Sequence, residues 1–222
     1  MKLVVVPTPI GNLKDITLRA LDALREASVI LAEDTRTTSV LLNHYQISKP
    51  LRSYHMHNEH RVTEHLVQEI QGGVSMALVS DAGTPGISDP GFLLVRACVR
   101  AGVPVECLPG PTAFVPALVV SGFPINRFVF EGFLPPKKGR HTLLLRLQEE
   151  DRAIVLYESP HRLAKSLREW ATYFGDDREA CVCRELSKKF EDIRRATLPE
   201  LAAHYETHPP KGEIVVVVKG KD

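Results

Sequence analysis

Asp81 and Asp89 stand in an unusual segment, Ser80-Asp81-Ala82-Gly83-Thr84-Pro85-Gly86-Ile87-Ser88-Asp89-Pro90-Gly91. A carboxylate on such a loop can accept hydrogen bonds from hydroxyls or face a positive charge. The glycines let backbone approach a ligand closely, and the prolines hold the loop's shape. The apolar run Val74 to Val79 precedes the segment, and the helix-like Phe92 to Val99 follows it. The loop is therefore placed at the carboxyl end of a strand, where open α/β sheets bind their ligands. An ordinary connection of this kind needs only about 2–6 residues. A binding loop is the better reading.

Three further segments have similar character: Pro7-Thr8-Pro9-Ile10-Gly11-Asn12, Glu33-Asp34-Thr35-Arg36 and Pro109-Gly110-Pro111-Thr112-Ala113. Each follows a predicted strand, and a parallel sheet gathers such strand ends along one edge. Neither the dinucleotide fingerprint GxGxxG nor the phosphate loop GxxxxGK[ST] is present. Carboxylates and small residues suit a ligand with hydroxyls and positive charge. S-adenosylmethionine has both, in its ribose, ammonium and sulfonium. By itself, Glu33-Asp34-Thr35-Arg36 also reads as a salt-bridged helix start, since acids favour that position. His55, His57 and His60 with Glu59 raise a zinc alternative, His55 and His57 sharing a strand face. No metal is expected, because a third ligand at suitable spacing is not evident.

The elements that must carry these segments alternate through the first half. Strands are expected at Leu3 to Val6, Val29 to Ala32, Val74 to Val79 and Val103 to Leu108. Helical spacing covers Thr17 to Ala27, Thr38 to Tyr45, Val62 to Gln71 and Phe92 to Val99. This alternation implies a parallel sheet. Gly122-Phe123-Pro124-Ile125-Asn126 breaks the rhythm and sets the expected domain boundary, 1–122 and 123–222. Beyond it, strands are expected at Phe128 to Phe133, Arg152 to Tyr157, Ala180 to Arg184 and Ile214 to Lys219. Helices at Leu163 to Tyr173 and Leu198 to Tyr205 complete a mixed-sheet half.

The chain has 222 residues, 44% hydrophobic and 25% charged, with a formal net charge of +1. That is globular composition without a global basic field, so any nucleic-acid contact must come from a local patch. Basic residues gather at Lys137, Lys138 and Arg140, at Arg184, Lys188 and Lys189, and at Arg194 and Arg195. The loop Pro135 to Arg140 is one such local basic patch. The four cysteines form no CxxC pair, and Met1 to Pro7 reads as a strand rather than a signal peptide. Reduced thiols in a cytoplasmic protein are expected. No stretch approaches the roughly 20 apolar residues of a membrane span.

Six ordered motifs resemble those of the tetrapyrrole methylase superfamily, across essentially the whole chain. They are Pro7 to Leu13, Ala32 to Arg36, Ser80 to Gly91, Pro109 to Pro111, Glu131-Gly132-Phe133-Leu134-Pro135 and Tyr157-Glu158-Ser159-Pro160-His161-Arg162. The resemblance implies two α/β domains with S-adenosylmethionine in the cleft between them, and a homodimer. Within the superfamily the chain looks like the members that methylate a cytidine ribose 2′-oxygen in 16S ribosomal RNA of the small subunit. Motif by motif, the cofactor is expected against Ile10, Asp81, Gly83, Ile87 and Ser88, with Thr112 and Ala113 on the far side. Tyr157 and Gly212 would close over it from the second domain. The proton acceptor is one of Glu33, Asp34 or His57, with Arg36 orienting it or holding a phosphate. Lys137, Lys138, Arg140, His161 and Arg162 are the expected RNA contacts. Many members continue past the final strand into a helical extension, whereas this sequence ends at Asp222, so the grip on RNA is expected from the body of the chain. The alternatives are a tetrapyrrole or corrinoid substrate, and a non-catalytic RNA-binding relative.

Overall fold

Val29 to Ala32 and Met76 to Val79 are buried at every position, which requires a sheet covered on both faces. That sheet belongs to the first of two compact units, Met1–Thr112, and the second unit starts at Ala113. The computed structural model describes residues 1–221. Along the first unit run β1 (Leu3–Val5), α1 (Leu18–Glu26), β2 (Val29–Ala32), α2 (Thr35–His44) and β3 (Leu51–Ser53). They are followed by α3 (Glu59–Gln71), β4 (Met76–Val79), α4 (Phe92–Arg100) and β5 (Val105–Cys107). All five strands are parallel, in the order β3-β2-β4-β1-β5. The two-residue period of a strand sorts their side chains between two cores. Leu3, Val5, Met76 and Leu78 pack with Leu66, Ile70, Leu94 and Cys98 from α3 and α4. Ala77 and Val79 pack with Ala20, Leu24 and Leu42 from α1 and α2.

The second unit contains α5 (Phe114–Ser121), β6 (Phe128–Phe133), α6 (Arg140–Leu147), β7 (Ala153–Glu158) and α7 (Leu163–Phe174). It continues with β8 (Glu179–Arg184), β9 (Asp192–Thr197), α8 (Leu198–Thr207) and β10 (Ile214–Val218). Its sheet is mixed, in the order β6-β7-β10-β8-β9, and only β6 and β7 are parallel. Trp170, Leu163, Leu167, Leu198 and Leu201 from α7 and α8 cover one face of it.

Four elements have no counterpart among the strands and helices given bounds from the sequence: β3, α5, α6 and β9. β9 carries Asp192, Arg194 and Arg195 and forms a charged edge strand, the type that natural sheets use to resist edge-to-edge pairing. Its charges hide its strand character in the sequence. α2 and α3 each begin three residues earlier than expected, because polar first turns carry no apolar period.

The unit boundary falls before α5 rather than after it. Arg195 of β9 donates to the Ser121 carbonyl at 3.0 Å and also to that of Val120, satisfying the last carbonyls of α5. Ala117, Leu118 and Ser121 are buried as α5 packs on β10 and β8. Gly122, at φ 76°, is thus the left-handed cap that ends α5, which is why it breaks the sequence rhythm.

Two strand-end loops of the first unit meet without room for a methyl group. A Cβ on Gly110 would lie 2.7 Å from Pro7 Cβ and 3.0 Å from its Cγ. The proline ring cannot swing away, so Gly110→Ala is expected to destabilise the first unit by about 1–3 kcal/mol. Thermal unfolding checks this, and an unchanged transition would refute the contact.

Candidate active site

Backbone hydrogen bonds tie the loops at the carboxyl edge of the parallel sheet to one another. Thr8 N–H donates to the Gly83 carbonyl at 2.9 Å, and Gly83 N–H donates to the Thr8 carbonyl at 2.8 Å. The Thr8 hydroxyl, itself buried, donates to the Ser80 carbonyl at 3.0 Å. Gly83 takes φ +82°, and a Cβ there would face Ile10 Cγ2 at 3.7 Å. Thr84 Oγ1 donates to the Pro111 carbonyl at 3.0 Å, which brings in the segment after β5. The segment after β2 joins through Asp34 N–H, which donates to Asp81 Oδ1 at 3.1 Å. All four segments singled out in the sequence therefore meet at this edge. Within the 80–91 loop Ser88 is held at φ 64°, a conformation that side chains other than glycine seldom adopt.

The far end of the loop is pinned by a residue the sequence did not single out. Gly91, before α4, offers no capping side chain. Instead the hydroxyl of Tyr54, wholly buried after β3, accepts from Leu94 N–H in the first turn of α4 at 3.1 Å. Thr63 Oγ1 lies 3.3 Å from the same hydroxyl. Capping from a distant tyrosine leaves no local pattern to read.

Carboxylates dominate the electrostatics. Burial, and then the neighbouring Asp81 charge, push Glu33 above the usual carboxylate range. Burial, followed by the Asp34 charge, raises Asp81 as well. Asp89 is pushed up to about 7, first by burial and then by Glu33. Asp34 behaves oppositely: hydrogen bonds from the Arg36 side chain hold it down at about 2. Its Oδ1 also accepts Arg36 N–H at 2.8 Å as the α2 cap, and Arg36 Nη2 lies 2.6 Å from Oδ2. Of the acids considered from sequence, Asp34 is thus engaged as a helix cap and ion-pair partner, while Glu33 is poised nearer neutrality. Asp89 is an addition, since its position in the sequence does not reveal its burial.

His55 and His57 follow β3 in a turn rather than sharing a strand face, because β3 ends at Ser53. Their ring centroids are 5.9 Å apart, and His55 Nδ1 is buried without a hydrogen-bond partner. No group of three His, Cys, Asp or Glu side chains among the described residues is arranged to hold a metal ion. Thr112 ends the first unit, and Ala113 precedes α5.

In the second unit, Tyr157 stands edge-on to Phe130 and Phe133, at 5.2 and 5.5 Å between centroids. Gly212 has φ +88°, and a Cβ there would run into the Glu185 carboxyl. Lys137, Lys138 and His161 are exposed. Arg140 is not: only 8% of it is accessible, and its guanidinium binds Glu169 at 2.7 Å and the Ser166 hydroxyl at 3.3 Å. Arg162 binds the buried Glu158 at 2.7 Å. Glu158 also accepts from Ser159 N–H at 2.7 Å and from Ser166 Oγ at 2.5 Å. Arg140 is spent inside the unit on Glu169 and the buried Ser166, which removes it from the expected RNA contacts, whereas Arg162 pairs with Glu158 while 37% of its side chain stays exposed.

A family model described as Tetrapyrrole (Corrin/Porphyrin) Methylases matches residues 2–202. The chain belongs to the tetrapyrrole methylase family. It is 49% identical over 221 residues to the Ribosomal RNA small subunit methyltransferase I of Thermotoga maritima, covering 100% of this chain and 99% of that one. The protein of that name from Escherichia coli O157:H7 is 47% identical, covering 99% of this chain and 78% of its own. The fold is that of the crystal structure of the methyltransferase CobJ, with a TM-score of 0.72 at 21% identity, over 99% of this chain and 94% of that one. A Thermus thermophilus uroporphyrin-III C-methyl transferase complexed with S-adenyl homocysteine gives 0.68 at 18% identity, over 99% and 97%.

The acidic cluster predicts a pH signature. A raised carboxyl pKa means that the folded chain holds a proton which the unfolded chain has already released. The contribution of Asp89 to stability therefore falls as pH rises from its ordinary value near 3.8 to about 7. Asp89→Asn, which stays neutral, should raise the unfolding temperature at pH 8 and change it little near pH 4. Equal effects at both values would show that Asp89 ionises normally.

Proposed function

We propose that the protein methylates the 2′-oxygen of a cytidine ribose in 16S ribosomal RNA of the small subunit, using S-adenosylmethionine. The observation that carries this reading is 49% identity along the full length of a relative bearing the small-subunit RNA methyltransferase name. The likeness to uroporphyrin and corrin methyltransferases, at 18–22% identity, extends to the fold alone.

The loop edge suits such a cofactor. It presents carboxylates and carbonyls, acceptors for ribose hydroxyls and an ammonium, and its acidity favours a positively charged sulfur. Glycine backbone at Gly83 and Gly86 permits close approach. Ile10, Asp81, Gly83, Ile87, Ser88 and Thr112 are the proposed binding residues of the first unit. Ala113, Tyr157 and Gly212 are the proposed ones of the second. When bound, the cofactor supplies an electrophilic methyl group on a positively charged sulfur.

The remaining chemistry is proton removal and alignment. The 2′-hydroxyl must lose its proton as its oxygen becomes an ether. An acceptor is most effective when its pKa lies near the working pH. Asp89, at about 7, meets that condition and Glu33 is shifted toward it, whereas Asp34 at about 2 is too weak a base. Arg36, whose side chain is 90% exposed, keeps a guanidinium face for an RNA phosphate while it pairs with Asp34. His57 is retained as a rim contact for the substrate. Lys137, Lys138 and His161 are proposed to touch RNA backbone. No helix among the described residues is long and apolar enough to cross a membrane. A cytoplasmic homodimer is part of the proposal, supported by the exposed Val115 and Val119 on α5.

The deciding assay is tritiated-methyl transfer from S-adenosylmethionine to small ribosomal subunits from cells lacking the protein. Label at a single cytidine, protecting the adjoining linkage from alkali, is the expected result. Asp81→Ala should weaken cofactor binding at least tenfold, about 1.4 kcal/mol, by calorimetry. Unchanged affinity would remove Asp81 from the binding set.

A further inference from the structure

α3 and α4 leave a groove between them on the outer face of the first unit, with a cavity of about 510 Å³. Its lining includes His60 and Glu64 from α3 and Leu93, Arg96 and Arg100 from α4. Phe92, the first residue of α4, directly precedes the lining residue Leu93 and is 62% exposed. The Arg96 guanidinium carbon lies 4.9 Å from the Phe92 ring centroid. Neither Arg96 nor Arg100 has a carboxylate within ion-pair distance among the described residues, although Glu64 lines the same groove. The ring and the guanidinium together present a flat stacking face to solvent. Phe92 also follows directly on Gly91, where the cofactor loop ends.

We infer that this groove is the docking track for a single-stranded stretch of the RNA substrate, with a base stacked on the Phe92–Arg96 pair and phosphates drawn to Arg96 and Arg100. Single-stranded RNA is the occupant whose chemistry matches both halves of the surface. Its bases stack on aromatic rings and guanidinium planes, and its phosphates pair with unneutralised arginines. Glu64 is the one carboxylate lining the groove, and it opposes that field. The track continues from the loop edge, so a strand lying in it leads toward the carboxylates assigned to proton removal. This inference rests on the RNA methylation reading and adds where the substrate is held.

The test is fluorescence anisotropy with a short, unstructured, cytidine-containing RNA over a range of salt concentrations. Phe92→Leu keeps apolar volume but loses the stacking face, and it should weaken binding about tenfold without changing the salt slope. Arg96→Gln with Arg100→Gln should flatten the slope of log K against log salt by about 1.4, roughly 0.7 for each charge removed. Glu64→Gln should tighten binding, a gain that misfolding cannot mimic. Cofactor affinity, followed by calorimetry, should be unchanged in all three. Affinity and slope that match the wild type in every variant overturn the docking track. So does a changed oligomeric mass of Phe92→Leu with unchanged RNA binding, which would make the face an interface between copies. Methyl transfer to small subunits is assayed in parallel with wild-type protein. Transfer alongside unaffected variants overturns the track alone, whereas wild-type protein that neither transfers methyl nor binds RNA overturns the functional reading together with it.

Discussion

The reciprocal backbone bonds between Thr8 and Gly83 hold the candidate site together. A parallel strand ends with unpaired N–H and C=O groups, and at this edge those of two neighbouring strands would be left for water. Pairing them across the loops satisfies both and fixes the 80–91 segment against the 7–12 segment. Gly83 makes the geometry possible, because its backbone sits at a positive φ while Ile10 and the Pro111 carbonyl stand close by. From that clip the other contacts follow: Thr84 reaches the third loop, and Asp81 is left where it can receive the Asp34 N–H.

A consequence of gathering strand ends is that their charges gather too. Glu33, Asp81 and Asp89 come from separate strand ends or loop positions, and partial desolvation with neighbouring carboxylate charges raises all three. Only Asp34 is neutralised at close range, by Arg36. The first unit therefore carries a concentrated acidic field at this edge, and within it Asp89 is shifted up to about 7. Part of the stability of the unit is given up to this arrangement, as expected where function sets the charges.

The second unit solves a different problem with the same chemistry. Glu158 is buried at the end of β7, where a lone carboxylate would be severely penalised. Arg162, Ser159 and Ser166 supply its hydrogen bonds, and Arg140 with Glu169 extends the network. The Tyr157 to Arg162 motif is accordingly a structural cluster. Arg178, also buried, donates to the Lys219 and Gln148 carbonyls in the same manner.

The sequence by itself determined the alternation of strands and helices, the parallel first sheet and the four loops at its edge. These follow from local periodicity and from glycine, proline and turn chemistry, which act within a few residues of one another. It also determined the family, because six motifs stand in order. The tertiary structure alone decided what each charged side chain does. Arg140 reads as a mobile cation beside Lys137 and Lys138, yet it is drawn inward by Glu169 and Ser166, far along the chain. Asp89 reads as one loop acid among several, and only burial beside Glu33 raises it toward neutrality. Tyr54 caps a helix forty residues away, and Arg195 on a charged edge strand ties α5 to the second unit. Burial and pairing depend on groups brought together across long stretches of chain, and no local pattern encodes them.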